Sequence, residues 1–256
     1  MMRLLLPLLT APLVLSACAA PEPVPTPPSA EGAAPTAGRS AAEPEVRADI
    51  NASYLSDGLD PARLDAGFSS ESRETFAARE AVTAALGLVP GDVIADVGAG
   101  TGIYLAPFSA AVGPEGAVIA IDIAPKLVAY IDARAAREGL GNVRAQLGGT
   151  ADTGLAPGSV DHVFTANVYH HFERPLAMNR HLFGAIRPGG TYAVLDFRRD
   201  DGASDFVRRH VRQDMATLIE EAAAAGFVFD GERAVPGLEE NYLVVFRRPE
   251  GPGSDG

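Results

Sequence analysis

Cysteine and basic side chains are both scarce in this sequence of 256 residues. Cys18 is the only cysteine, so the chain cannot form an internal disulfide. Lysine and arginine number 21 against 33 aspartate and glutamate residues, which gives a net charge of −12. Because a phosphate backbone is bound by a clustered basic face, this charge balance argues against a nucleic-acid partner.

A hydrophobic run long enough to span a bilayer is also missing at the N-terminus, where the apolar stretch Leu4–Leu15 is too short for a transmembrane helix. It follows the positively charged segment Met1–Arg3, a pattern typical of a signal peptide. Leu15–Cys18 resembles the bacterial lipoprotein signal, in which cleavage precedes the cysteine and its sulfur carries a lipid. We therefore expect residues 1–18 to be a lipoprotein signal peptide and the protein to be exported, anchored on the periplasmic side of a membrane. An ordinary signal peptide cut near Ala19, which leaves a soluble protein, is the alternative.

The composition changes twice along the rest of the chain. Residues 19–46 are rich in proline and alanine and cannot bury a core, which predicts a disordered linker. Residues 47–249 have the length of one globular domain, and residues 250–256 are expected to be a disordered tail. Over the whole chain, 47% hydrophobic and 21% charged residues are ordinary globular usage.

The most informative stretch is Asp92–Gly102, which reads as a buried strand that runs into a glycine-rich turn. Glycines at positions 98, 100 and 102 allow a tight turn and a close approach of a ligand. The third glycine of the dinucleotide fingerprint is replaced by Ile103, and the Gly-Lys-Ser/Thr of a phosphate-binding loop is absent. The turn therefore predicts a nucleotide-like ligand outside those two classes.

A second apolar run, Ala117–Ile121, ends in Asp122, which lies 20 residues after Gly102. A carboxylate at that strand end can accept hydrogen bonds from both hydroxyls of a ribose. Asp96, inside the first strand, is a further carboxylate beside the glycine turn.

With these motifs the chain resembles the class I S-adenosylmethionine-dependent methyltransferases, whose first motif reads like Ala95–Gly102 and whose second strand ends in an acid like Asp122. The resemblance implies a Rossmann-like α/β three-layer sandwich with helices on both faces. Its seven-stranded sheet would be mostly parallel, with an antiparallel last strand. The implied donor is S-adenosylmethionine, held by Asp96, Gly98, Ala99, Gly100, Thr101, Gly102, Asp122, Ile123, Thr150, Ala151, Asp152 and Asn167.

The second informative stretch, Ala166–Glu173, follows the fourth predicted strand. Ligands of open α/β sheets bind beyond the carboxyl ends of the strands, so this stretch is expected near the methyl group that is transferred. We predict catalytic or pocket-shaping roles for Tyr169, His170 and His171, because an imidazole suits a general base near neutral pH. If the histidines are structural, the base must be sought among Tyr54, Asp196 and His210.

Two other functions remain open at this point. The first is a binding module that keeps the nucleotide cleft without turnover, since S-adenosylmethionine is a cytoplasmic metabolite and the chain looks exported. The second is a metal site built from His170, His171 and Glu173. Adjacent histidines point apart on an extended segment and no third spaced histidine is evident, so we expect no metal. The expected partner is a small-molecule acceptor, and the sequence leaves the oligomeric state open.

Overall fold

A computed structural model describes residues 42–44, 46–47 and 49–251. The predicted signal peptide, most of the predicted linker and the last five residues of the predicted tail lie outside this part of the chain. Within the described residues, no helix combines the length and the apolar character needed to cross a membrane.

The centre of the fold is a seven-stranded sheet in the order β3-β2-β1-β4-β5-β7-β6. Neighbouring strands among β1 to β5 pair in parallel, and β7 is antiparallel to both β5 and β6. The predicted mostly parallel sheet with an antiparallel last strand is confirmed. The strands are β1 (Val93–Val97), β2 (Ala117–Asp122), β3 (Val143–Leu147), β4 (Val160–Ala166), β5 (Ile186–Phe197), β6 (Val228–Arg233) and β7 (Asn241–Arg247).

Helices cover both faces of the sheet, which confirms the three-layer prediction. The helices are α1 (Pro61–Phe68), α2 (Glu74–Ala77), α3 (Arg79–Leu86), α4 (Leu105–Val112), α5 (Pro125–Glu138), α6 (Pro175–Ala185), α7 (Asp205–His210) and α8 (Met215–Ala223). Val82, Phe108 and Ile131 bring α3, α4 and α5 into one buried cluster. Leu182 and Leu218 bring α6 and α8 into the cluster on the opposite face.

The N-terminus of α6 receives its cap from the segment that we predicted to be disordered linker. The Glu43 carboxylate accepts hydrogen bonds from the backbone N–H groups of Leu176 (2.9 Å) and Ala177 (2.7 Å). Arg174, at the N-cap position, contributes no side-chain cap of its own. A carboxylate at a helix N-terminus satisfies unpaired donors and complements the helix dipole. Contacts with the domain therefore begin before residue 47, where we predicted the domain to start.

Candidate active site

A cleft of about 660 Å³ opens beyond the carboxyl ends of β1, β2 and β4. Tyr54 and Phe68, from the segment before the sheet, line it on the side away from the strands. Asp65 holds α1 against α5 through an ion pair with Arg134 (3.0 Å) and a hydrogen bond from the Tyr130 hydroxyl (3.0 Å). The volume lies in the range of small-molecule sites, so the cleft can take a ligand of nucleotide size.

The glycine turn after β1 forms one wall of the cleft. Gly98, Gly100 and Gly102 have positive φ angles of 76°, 59° and 82°, which side chains other than glycine rarely adopt. A Cβ on Gly98 would lie 2.4 Å from Val168 Cγ1, so this glycine is also required for packing between two loops. A Cβ on Gly100 would come within 3.2 Å of the Phe68 ring, which covers the turn from above.

Asp122, at the end of β2, fixes the shape of that turn. Its Oδ2 accepts a hydrogen bond from the Gly100 N–H (2.9 Å) and its Oδ1 accepts one from the Ala124 N–H (2.9 Å). Burial raises the pKa of the carboxyl, and backbone N–H groups, chiefly those of Ala124 and Gly100, oppose the rise. Each carboxylate oxygen has a second lone pair, so Asp122 can still accept hydrogen bonds from hydroxyls in the cleft.

Asp96 is a second buried carboxyl group beside the turn, with 2% of its surface exposed. Burial, followed by the nearby charge of Asp122, raises the pKa of Asp96 to about 7. Among the described residues its side chain has no hydrogen-bond or ion-pair partner, although it lines the cleft. A buried carboxylate without a partner is costly, so a cationic group of a ligand would be favourable here.

Most of the residues predicted to bind the donor line the cleft, and four do not. The lining members are Asp96, Gly98, Ala99, Gly100, Asp122, Ile123, Thr150 and Asn167, whereas Thr101, Gly102, Ala151 and Asp152 lie outside it. Thr101 is fully buried, and Gly102 packs on the Leu105 side chain. Asp152 is exposed and its Oδ1 accepts a hydrogen bond from the Gly154 N–H (3.2 Å). The prediction that Asp152 faces the ligand is therefore corrected.

Asn167, directly after β4, has an unusual backbone. Its φ of 54° is the only positive value at a non-glycine position among the described residues. The backbone N–H donates to the Leu195 carbonyl (2.8 Å), and the side-chain Oδ1 is buried without a partner. Strained backbone of this kind is held in place by its surroundings and is common at functional sites.

His170 lies in a single 3₁₀ turn after Asn167 and faces the far end of the cleft. Its Nδ1 is 2.8 Å from Oδ1 of Asp196, whose side chain is fully buried. Since an ionised carboxylate only accepts hydrogen bonds, Nδ1 carries the proton and Nε2 keeps its lone pair. Asp196 also stabilises the imidazolium that forms when Nε2 takes up a proton, so His170 is suited to act as a general base.

His171 lines the same end of the cleft but differs from His170 in its electrostatics. Burial, followed by the neighbouring His170 and His210, lowers the pKa of His171 to about 3. An imidazole with such a pKa stays neutral at physiological pH and is a weak base. Of the two histidines predicted as possible bases, His170 is therefore the better candidate.

Tyr169 points away from the cleft, which corrects its predicted role in the pocket. The ring is completely buried, and its hydroxyl donates a hydrogen bond to Glu221 Oε2 (2.7 Å) and accepts one from Asn179 Nδ2 (2.9 Å). Within the core, burial and the adjacent Glu221 raise the pKa of Tyr169 well above its usual value. Tyr169 therefore joins α6 to α8 and is not available to an acceptor.

Several cleft residues were not predicted, because they come from segments without a recognisable motif. Asn51 lies before the domain core and Phe206 lies on α7, where His210, named above as an alternative base, also lines the cleft. The Phe206 and His210 rings stack with centroids 4.9 Å apart. This part of the chain forms two helices, α7 and α8, and His210 ends the first of them at the cleft.

Comparisons with known proteins agree with this geometry. Residues 94–190, from β1 into β5, match the family model described as "Methyltransferase domain". The fold superposes on a SAM-dependent methyltransferase from Aquifex aeolicus with a TM-score of 0.66 and 25% sequence identity, over 73% of this chain and 98% of that one. Residues 94–190 are thus similar to a methyltransferase domain, and the fold is that of a SAM-dependent methyltransferase.

Curated methyltransferases are similar to parts of this chain. The nocamycin O-methyltransferase of Saccharothrix syringae is 46% identical over 79 residues, 31% of this chain and 28% of the relative. Methyltransferase AacuQ of Aspergillus aculeatus is 36% identical over 156 residues, 61% of this chain and 45% of the relative. The chain thus spans less than half the length of these two relatives.

Proposed function

We propose that the methyltransferase domain transfers a methyl group from S-adenosylmethionine to a small-molecule acceptor. The observation that carries the proposal is the arrangement of one cleft. Buried carboxyl groups of Asp96 and Asp122 lie beside the glycine turn, and His170 lines the same cleft. A donor bound by its nucleoside and amino-acid parts would direct its reactive centre toward the imidazole.

The donor half of the proposal rests on matching chemistry. Asp122 accepts hydrogen bonds from the ribose hydroxyls while its bonds to Gly100 and Ala124 keep the turn in shape. Asp96 attracts the ammonium of the methionine part, which gives this buried carboxylate its missing partner. Ile123 and Leu127 offer an apolar surface of the cleft to the adenine ring.

The transfer itself needs little more than alignment. A lone pair of the acceptor attacks the methyl carbon in line with the carbon–sulfur bond, the new bond forms as that bond breaks, and S-adenosylhomocysteine leaves. If the acceptor is a hydroxyl, its proton passes to His170 Nε2, and Asp196 stabilises the resulting imidazolium. The named O-methyltransferase among the relatives supports an oxygen acceptor.

A transfer experiment separates an enzyme from a binding module without turnover. Methyl-labelled S-adenosylmethionine is incubated with the protein and fractionated bacterial small molecules, and labelled products are counted. We expect His170→Ala to keep its affinity for S-adenosylhomocysteine and to lose transfer, and His181→Ala, outside the cleft, to keep both. Donor binding without transfer to any fraction would support the binding module instead, and full transfer by His170→Ala would remove the assigned base.

We also propose that the mature protein is tethered to a membrane through lipid on Cys18. The support is the Leu15–Cys18 motif and the proline-rich segment behind it. At a rise of about 3 Å per residue, an extended linker of this kind would hold the domain some tens of ångströms from the membrane surface.

A further inference from the structure

Three histidines meet in the cleft. His170 and His171 come from the 3₁₀ turn after β4, and His210 is the last residue of α7. One ring nitrogen of each lies within 4.8 Å of the other two. The Nε2 atoms of His171 and His210 are 3.3 Å apart, and the ring centroids of the three pairs are separated by 4.4–5.1 Å.

The His170 ring is held by a buried carboxylate, as described above. Asp196 Oδ1 accepts from His170 Nδ1 (2.8 Å), and Asp196 Oδ2 accepts from Gln213 Nε2 (3.2 Å). This leaves the Nε2 lone pair of His170 free to face the cluster. Histidines that ligate metals commonly donate their other ring nitrogen to a carboxylate in this way.

The His171 ring is fixed by Asn51, whose amide orientation follows from its other contacts. Asn51 Nδ2 donates to the His171 carbonyl (3.1 Å) and to Glu173 Oε1 (3.0 Å), both of which can only accept. Asn51 Oδ1 therefore faces His171 Nδ1 (3.2 Å) and accepts its proton. His171 thus also presents its Nε2 lone pair, and Glu173 positions Asn51.

We propose that His170, His171 and His210 form a binding site for a divalent transition metal ion such as Zn²⁺. With Zn–N bonds of about 2.0–2.1 Å, two nitrogens of a tetrahedral site lie about 3.3 Å apart. The Nε2 atoms of His171 and His210 have this separation already, and a ring nitrogen of His170 lies within 4.8 Å of the ligand atoms of both. This set has His210 in place of the Glu173 considered in the sequence analysis, and the proposal departs from the expectation of no metal stated there.

A site with three protein ligands leaves a coordination position open toward the cleft. There the ion would bind a hydroxyl or thiol of the methyl acceptor as its anion, with the proton released to solvent. The anion's lone pair then attacks the methyl carbon of the donor as the carbon–sulfur bond breaks. This use of the site rests on the proposed function, whereas binding of the ion does not. With the ion bound, the acceptor would lose its proton to solvent and not to His170.

Metal binding is tested on tag-free protein that has been stripped with a chelator. Zn²⁺ is titrated calorimetrically, and Co²⁺ is added in parallel because its visible absorption reports tetrahedral coordination. We expect one ion per chain, a loss of at least tenfold in affinity for His210→Ala, and a smaller loss for Asp196→Asn. His181→Ala is the matched control, since His181 lies on α6 with its Nε2 near Thr153 Oγ1 (2.7 Å), and it should bind the ion as the unaltered chain does.

The outcomes separate this inference from the proposed function. Absence of stoichiometric binding, undiminished binding by His210→Ala, or an equal loss in His181→Ala would each overturn the metal site. If His210→Ala does not fold, the ion affinity of Asp196→Asn is compared with that of the unaltered chain and of His181→Ala. If neither variant folds, the presence or absence of tetrahedral Co²⁺ absorption in the unaltered chain supports or overturns the metal site. Affinity for S-adenosylhomocysteine is measured on the same metal-free samples, so donor binding without metal binding refutes only the inference.

Discussion

Replacing Asp122 by asparagine perturbs the proposed donor site at one atom. In the structure the two carboxylate oxygens accept from the N–H groups of Gly100 and Ala124, both at 2.9 Å. In Asp122→Asn one of these positions becomes an NH₂ group that faces an N–H donor, so a buried donor loses its partner. The substitution also weakens the charge-assisted hydrogen bond to a ribose hydroxyl, which is worth about 1.5–3 kcal/mol.

That energy corresponds to an increase of roughly 10- to 150-fold in the dissociation constant of S-adenosylhomocysteine. Calorimetric titration measures this change in affinity, and urea denaturation measures the accompanying loss of stability, about 1–3 kcal/mol. Asp152→Asn is the control, because Asp152 lies outside the cleft. Unchanged affinity in folded Asp122→Asn, or an equal loss in Asp152→Asn, would refute the reasoning.

Three further predictions follow from single groups. Because only ionised Asp96 attracts the donor's ammonium and its pKa is about 7, affinity for S-adenosylhomocysteine should fall by up to about tenfold per pH unit below 7. Asp96→Asn should bind weakly with a flat pH profile between pH 6 and 8, and a steep profile in this variant would contradict the assignment. Tyr169→Phe removes one hydrogen bond to Glu221, which keeps its ion pair with Arg212, and leaves the buried Asn179 Nδ2 without its acceptor. It should cost about 1–3 kcal/mol of stability in denaturant unfolding, with affinity for S-adenosylhomocysteine unchanged. Cys18→Ser should abolish labelling by a fatty-acid analogue, and an unlabelled native protein would refute the tether.

The sheet and the donor end of the cleft could be predicted because they depend on local patterns. The run Val93–Val97 with its glycines, and the acid at Asp122, each combine a buried strand with a turn in one continuous stretch. In open α/β sheets such strand ends border the ligand cleft, and the glycine turn and Asp122 both line the cleft of the structure.

The far end of the cleft could not be read in the same way, because it is assembled from distant segments. Asn51, Asp196 and His210 approach the histidine pair from three parts of the chain that carry no spacing signal. The direction of neighbouring side chains was also undetermined. Tyr169 and His170 are adjacent, yet the 3₁₀ turn sends one ring into the core and the other to the cleft. Asp152 failed for a related reason, since a loop without periodicity does not fix which side chain faces inward.

A calorimetric comparison of two nucleotides tests whether the cleft is a site for S-adenosylmethionine. S-adenosylhomocysteine and NAD⁺ are each titrated into the purified protein under the same conditions. We expect one site per chain for S-adenosylhomocysteine and much weaker or no binding of NAD⁺, since the position of the third fingerprint glycine is occupied by Ile103. Tighter binding of NAD⁺, or no heat with S-adenosylhomocysteine, would contradict it.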